Sequence, residues 1–200
     1  MFKRPQLEGW ERADKLNVRL TGYGWAKTRM AAHFYFPEDF NLDHIDTMLR
    51  AFTRDIKYTK DWGCESCGDP AQEVVFEYIA DSPSGLKLVV ASAHFMCSKD
   101  QQRAVHQGVS RVHDTMDYLG LEGAGAPYPS MAKRPAGVVY ALAAGCAGCE
   151  TVPGDGEAGL KRCGRCRMTR YCGTVCQKRD WARHKGVCVK VHEVVFENWT

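Results

Sequence analysis

The chain has no long apolar run. The longest, Ala136–Gly145 (AGVVYALAAG), is ten residues, about half of the ~20 that a membrane-spanning helix needs. A helical span is therefore not expected, and a membrane is left out of the expected partners. The first fifteen residues, MFKRPQLEGWERADK, lack the apolar core of a secretory leader, which points to the cytoplasm or the nucleus. There is no Gly-rich phosphate-binding loop, internal repeat or low-complexity tract. Acidic residues are nearly missing from one stretch. Residues 161–190 carry ten Lys/Arg against a single acid, Asp180, a local balance of +9 on a chain whose total is +3, so the remainder sums to −6. Such a split marks an interaction surface.

What the chain has in quantity is cysteine: ten in 200 residues. In a reducing compartment that number points to metal binding rather than to a disulfide framework. Hydrophobic residues at 44% and charged residues at 26% are globular values, so a packed core is expected.

Four stretches follow from patterning. Residues 1–121 read as an α+β domain. Leu42, Ile45, Leu49 and Phe52 fall on one face of a helix from about Leu42 to Phe52, capped by Asn41 or Asp43. Gln72–Ala80 and Leu86–Phe95 are strand-like, and the turn signal DSPSG between them predicts a β-hairpin. A second amphipathic helix is expected over about Lys99–Leu119, through Val105, Val109, Val112, Met116 and Leu119. Residues 122–137, rich in Gly, Ala and Pro, read as a linker. Residues 138–190 form a small cysteine-rich module with little regular structure beyond a short C-terminal helix, and 191–200 a tail.

The module's cysteines fall as Cys146-x2-Cys149, Cys163-x2-Cys166 and Cys172-x3-Cys176, followed by His184-x3-Cys188. These eight soft ligands suffice for two closed tetrahedral zinc sites. They divide either in sequence order or crossed, Cys146/Cys149 with Cys172/Cys176 and Cys163/Cys166 with His184/Cys188. If Cys172 to Cys188 is mostly one helix, Cys176 and His184 stand about 12 Å apart at 1.5 Å per residue and cannot share an ion. The crossed division then follows, on condition that the helix does not break around Lys178–Asp180.

The run Tyr171 to Cys188 (YCGTVCQKRDWARHKGVC), behind two C-x2-C pairs, resembles the MYND zinc-finger signature YC-x3-CQ-x3-W-x2-H-x3-C. The resemblance covers about 43 residues and implies the same crossed two-zinc arrangement. The loop between Cys149 and Cys163 is long against that pattern. The resemblance also implies that Gln177 and Trp181, four apart on one helical face, line a shallow groove for short proline-containing peptides, with strand-like pairing near Tyr171. Trp181 is also expected to pack between the sites as a mini-core. Arg162, Arg165, Arg167 and Arg170 either stabilise the thiolates or form a solvated basic face.

The other three cysteines are grouped. Cys64-Glu65-Ser66-Cys67-Gly68 is a C-x2-C-G knuckle, and His94-Phe95-Met96-Cys97 an H-x2-C. The hairpin would return one pair beside the other, predicting a third zinc on Cys64, Cys67, His94 and Cys97. Against it, residues three apart on a strand face opposite sides unless the chain turns at Met96. A fungal group of MYND-containing proteins is similar here, with a CESCG-like knuckle, a hairpin and an H-x2-C ahead of the finger.

No catalytic residues are expected. Every plausible metal site is fully ligated, so none can activate water, and nothing resembles the motifs of the SET lysine methyltransferases in which this finger also occurs. The expected function is a zinc-binding protein–protein interaction module, an adaptor or co-regulator for proline-containing peptides. The alternatives are a nucleic-acid-associated protein using the basic surface and a fragment of a SET-type methyltransferase, since Val189–Thr200 reads like the start of something longer.

Overall fold

A computed structural model describes residues 16–36, 45–81, 88–97, 138–154 and 159–198. The expected second helix over 99–119, the linker and the turn of the predicted hairpin lie outside the described residues, except Asp81.

Period-two alternation builds a mixed sheet. Its strands are β1 (Leu16–Tyr23), β2 (Thr28–Phe36), β3 (Glu73–Asp81), β4 (Leu88–Met96) and β7 (Val191–Asn198), in the order β3-β4-β1-β2-β7. β1 runs parallel to β4, and the other neighbours are antiparallel. A 3-10 turn, Trp25–Lys27, joins β1 to β2, with Ala26 and Lys27 at positive φ. Side chains of one face line up across all five strands. One row is Tyr78–Ala91–Leu20–Ala32–Val194, and the next is Phe76–Ala93–Gly22–Met30–Phe196. Small residues sit inside each row, Ala91 and Ala32 on either side of Leu20 in the first, Ala93 and Gly22 in the second. A side chain at Gly22 would bring its Cβ to 2.9 Å from the Phe95 ring, so that row is filled from the neighbouring strand.

Helix α1 (Ile45–Lys57) covers this face with Met48, Leu49, Phe52 and Ile56, all buried, and the Phe52 ring lies 5.0 Å from that of Phe34. The helix ends five residues beyond the predicted Phe52, because Ile56, four residues on, extends the same apolar stripe. It stops where Thr59 turns back, its N–H and Oγ1 both donating to the Ile56 carbonyl. Trp62 then stacks on Phe95 at 3.9 Å between centroids. The two predicted hairpin strands pair antiparallel, Val75 opposite His94 and Phe76 opposite Ala93.

The C-terminal part adds a two-residue ribbon, β5 (Lys161–Arg162) with β6 (Arg170–Tyr171), and helix α2 (Thr174–Cys188). Buried residues of this part, among them Ala147, Met168, Tyr171 and Val187, join those of the sheet and α1 in one continuous apolar cluster. The stretch read as a tail is corrected: Val191–Asn198 is edge strand β7, paired with β2 around a bulge at His33/Phe34. Its half-buried Val194 and Phe196 pack against the core. Removing residues 191–200 should therefore lower the urea unfolding free energy by about 2–4 kcal/mol, from the apolar burial lost at Val194 and Phe196. A true tail would leave the unfolding midpoint where it was.

Candidate metal centre

Three C-x2-C turns carry the first two ligands of three groups. After Cys146 the Glu150 N–H returns to the Cys146 carbonyl at 2.7 Å, and the Cys146 N–H donates to Thr151 at 3.0 Å. After Cys163 the same turn is closed by Arg167 N–H at 2.9 Å and by Thr169 at 2.8 Å. Glu150 and Arg167 sit at positive φ, 64° and 55°, four residues past the first cysteine. Each turn aims two sulfurs at one point; in the finger the rest come from Cys172, just after β6, and from Cys176, His184 and Cys188 on α2.

α2 runs unbroken from Thr174 to Cys188, so the condition for the crossed division is met. The donor atoms of Cys146, Cys149, Cys172 and Cys176 gather within 4.8 Å of one another, and so do those of Cys163, Cys166, His184 and Cys188. The second group is buried throughout, whereas Cys172 is exposed. Separations within the groups are 3.5 Å for Cys149–Cys172, 3.8 Å for Cys163–Cys188 and 3.7 Å from Cys166 Sγ to His184 Nε2. Disulfide sulfurs would be about 2.05 Å apart. The edge of a tetrahedron with zinc–sulfur bonds of about 2.3 Å is about 3.8 Å. The donor sets and their spacing thus fit zinc. Helix and knuckle approach closely to achieve this, since a Cβ on Gly148 would lie 2.7 Å from the Cys176 carbonyl oxygen.

Without a cation the groups resist full ionisation. Burial, and then Cys146 and Cys149, push Cys172 up to about 12, and burial with Cys166 and Cys163 does the same to Cys188. Cys149 is drawn down to about 6, first by the hydrogen bond from the Thr151 side chain. Burial opposes the Cys163 thiolate, but the backbone N–H groups of Cys166 and Arg165 and the His184 ring outweigh it, down to about 7. Further negative charge in each group awaits the ion. At Cys163 backbone amides, not arginine side chains, stabilise the thiolate. Arg162 donates to the Met168 and Arg167 carbonyls and lies 4.0 Å over the Phe196 ring, while Arg170 donates to the Tyr58 and Ala143 carbonyls. Arg165 and Arg167 are exposed.

The residue that sequence reasoning missed is Asp55, on α1. It has no exposed surface, and its Oδ1 lies 2.5 Å from His184 Nδ1. Thr169 Oγ1 donates to the same oxygen at 2.9 Å, and Arg183 bonds both oxygens. Arg183 also holds Asp180, which accepts from Tyr171 Oη at 2.9 Å. Burial works against the Asp55 carboxylate, yet the His184 and Arg183 bonds bring its pKa below the ordinary value. With Nδ1–H given to Asp55, the Nε2 lone pair faces the sulfurs, the tautomer a metal requires. One signal was available: Asp55 follows Phe52 by three, at the border of the apolar stripe.

Two expectations are corrected. Trp181 is 38% exposed, its ring 5.9 Å from that of His184, so it does not form the mini-core. Met168, Tyr171, Ala147 and Val187 do. At the N-terminal site Cys64, Cys67 and Cys97 gather, but His94 does not join them. Its Nδ1 lies 2.6 Å from Glu65 Oε2, its Nε2 lies 3.6 Å from Glu77, and its ring stacks on Tyr23. The strand alternation that separates residues 94 and 97 decides this. Gln177 is half-buried, its Nε2 donating to Cys163 Sγ at 3.3 Å.

The family model for the MYND finger matches residues 146–188, from the first ligand of one quartet to the last of the other. This segment is a MYND finger. Human N-lysine methyltransferase SMYD2 is 52% identical over 44 residues, 22% of this chain and 10% of the relative; the chicken protein is 44% identical over 43 residues, with the same shares. Mouse Tudor domain-containing protein 1 is 45% identical over 38 residues, 19% of this chain and 3% of the relative. The matched stretch thus spans about a tenth of the length of the SMYD2 relatives. No solved structure matches the chain. The MYND finger binds zinc and serves as a module for protein–protein interaction.

Asp55→Asn keeps the shape but weakens the acceptor for His184. Zinc affinity of the Cys163/Cys166/His184/Cys188 group should fall about 10–100-fold with the other finger site unchanged, as read by competition with a chromophoric chelator. Two unchanged affinities would show that Asp55 does not hold the ligand.

Proposed function

We propose that this protein is a binding module that takes short proline-containing peptides on α2, at Gln177 and Trp181, beside the metal groups. The carrying observation is Trp181 itself, a large aromatic left 38% exposed at the edge of the ligand-bearing face of α2, its ring 5.9 Å from that of His184. Val175, on the same helix, is 79% exposed. Exposed aromatics are the usual anchors of peptide contacts. The Gln177 amide nitrogen is held by Cys163, which fixes the side chain and leaves its oxygen as the acceptor for a peptide N–H. The two finger quartets are complete, so neither offers the open coordination position that water activation needs. The likeness to a methyltransferase is confined to the finger and carries no argument for methyl transfer.

Much of the basic charge of the finger is used internally. Arg170 and Arg183 are tied to groups of the sheet domain, and Arg162 and Arg179 to carbonyls of the finger. This favours a peptide over a phosphate backbone, which needs free cations. In fluorescence-anisotropy titrations against an array of proline-containing peptides, Trp181→Ala should cost roughly thirty-fold in affinity, about 2 kcal/mol. Binding by the unaltered chain should survive about 0.5 M salt. Binding that salt abolishes and Trp181→Ala leaves unchanged would overturn the reading in favour of nucleic acid.

A further inference from the structure

The turn at Cys64 repeats the build of the two finger knuckles. The Gly68 N–H returns to the Cys64 carbonyl at 2.9 Å, and the Cys64 N–H donates to Asp69 at 2.7 Å. The residue four past the first cysteine is again at positive φ, 80° at Gly68, where Glu150 and Arg167 stand in the finger. Three turns of the molecule thus share the return bond from four residues on to the first cysteine's carbonyl and one left-handed position, and two of them carry the paired ligands of a zinc finger. Glycine at the third relieves a strain that Glu150 and Arg167 bear.

The turn is pinned against the end of β4. The Glu65 N–H donates to the Phe95 carbonyl and the Gln72 N–H to that of Met96, both at 2.8 Å. This brings Cys97, the residue after β4, to the knuckle. The donor atoms of Cys64, Cys67 and Cys97 lie within 4.8 Å of one another, with Cys67 and Cys97 sulfurs 3.6 Å apart, the edge length of the finger groups. Cys64 and Cys97 are buried in a small apolar cluster with Val75 and Met96, and Cys67 opens to the surface. Three thiols held together in this way are free of disulfide bonds. We infer that Cys64, Cys67 and Cys97 bind a third thiophilic divalent cation, zinc, through three thiolates.

The site differs in kind from the finger quartets. Among the described residues no fourth His, Cys, Asp or Glu donor joins it, and the nearby imidazole, His94, is engaged between Glu65 and Glu77. Its ion fastens the knuckle to the end of the β3–β4 pair.

Metal analysis of the purified protein tests this. Elemental mass spectrometry should return three zinc ions per chain, and two for Cys67→Ser, with the finger ions retained. Cys67 is exposed, so the serine variant should keep its circular dichroism. Cys97→Ser, in the buried part of the cluster, should likewise hold two. After exchange with cadmium, the sulfur-to-metal absorption of ten thiolates should fall by about three tenths in Cys67→Ser. Two ions in the unaltered chain, or three in Cys67→Ser, would overturn the inference. A defect of the finger shows separately, as loss of an ion in Cys172→Ser.

Discussion

Asp55 lies at the last turn of α1 with its carboxylate wholly buried, receiving hydrogen bonds from Thr169, His184 and twice from Arg183. Its partners are more than a hundred residues away in the chain, and one of them is a ligand of the finger. The rest of the arrangement depends on this contact. A buried carboxylate is tolerable only when it is paired, and removing one member of such a set costs about 3–5 kcal/mol. The histidine in turn needs a fixed tautomer if its Nε2 is to serve a metal. Each requirement is met by the other, across the boundary between sheet domain and finger.

Around that contact the boundary is stitched along its length. Arg54 donates to the Ala147 carbonyl and pairs with Glu150, the Arg170 N–H and guanidinium both reach Tyr58, and the Ala143 N–H reaches Ala71. The chain leaving α2 enters the sheet as β7. The finger is therefore part of one folded body. Its two zinc groups, with seven thiolates and one imidazole, carry a formal −3 between them, set in a segment whose side chains carry +9. That excess explains why arginines of the finger can be spent on carbonyls and on Asp55 without leaving the thiolates uncompensated.

The metal chemistry was legible in the sequence because ligand spacing is local: C-x2-C and H-x3-C declare their geometry within a few residues. The crossed division was legible too, since it needed only the length of α2. Helix α1 and the β3–β4 pair were readable from periodicity. The strands β1 and β2 were not, because Gly22, Ala31 and Ala32 dilute the apolar signal and Arg19, Thr21 and His33 fill the other face. β7 was hidden because Val194 and Val195 interrupt its alternation. Asp55 was missed for a different reason. An aspartate between an arginine and an isoleucine on a helix reads as solvated, and nothing nearby announces a histidine 129 residues on. His94 shows the converse, since its proximity in sequence to Cys97 suggested a ligand that strand geometry points elsewhere.

The claim that metal and sheet domain share one folding unit is open to direct measurement by hydrogen–deuterium exchange of the full chain before and after chelation. Loss of zinc should release His184 from its ion and loosen the set around Asp55, so amides of the end of α1 and the turn after it, Thr53 to Thr59, should lose protection together with those of 146–188. If chelation deprotects the finger alone and α1 exchanges as slowly as before, the finger is an independent module and the account is wrong.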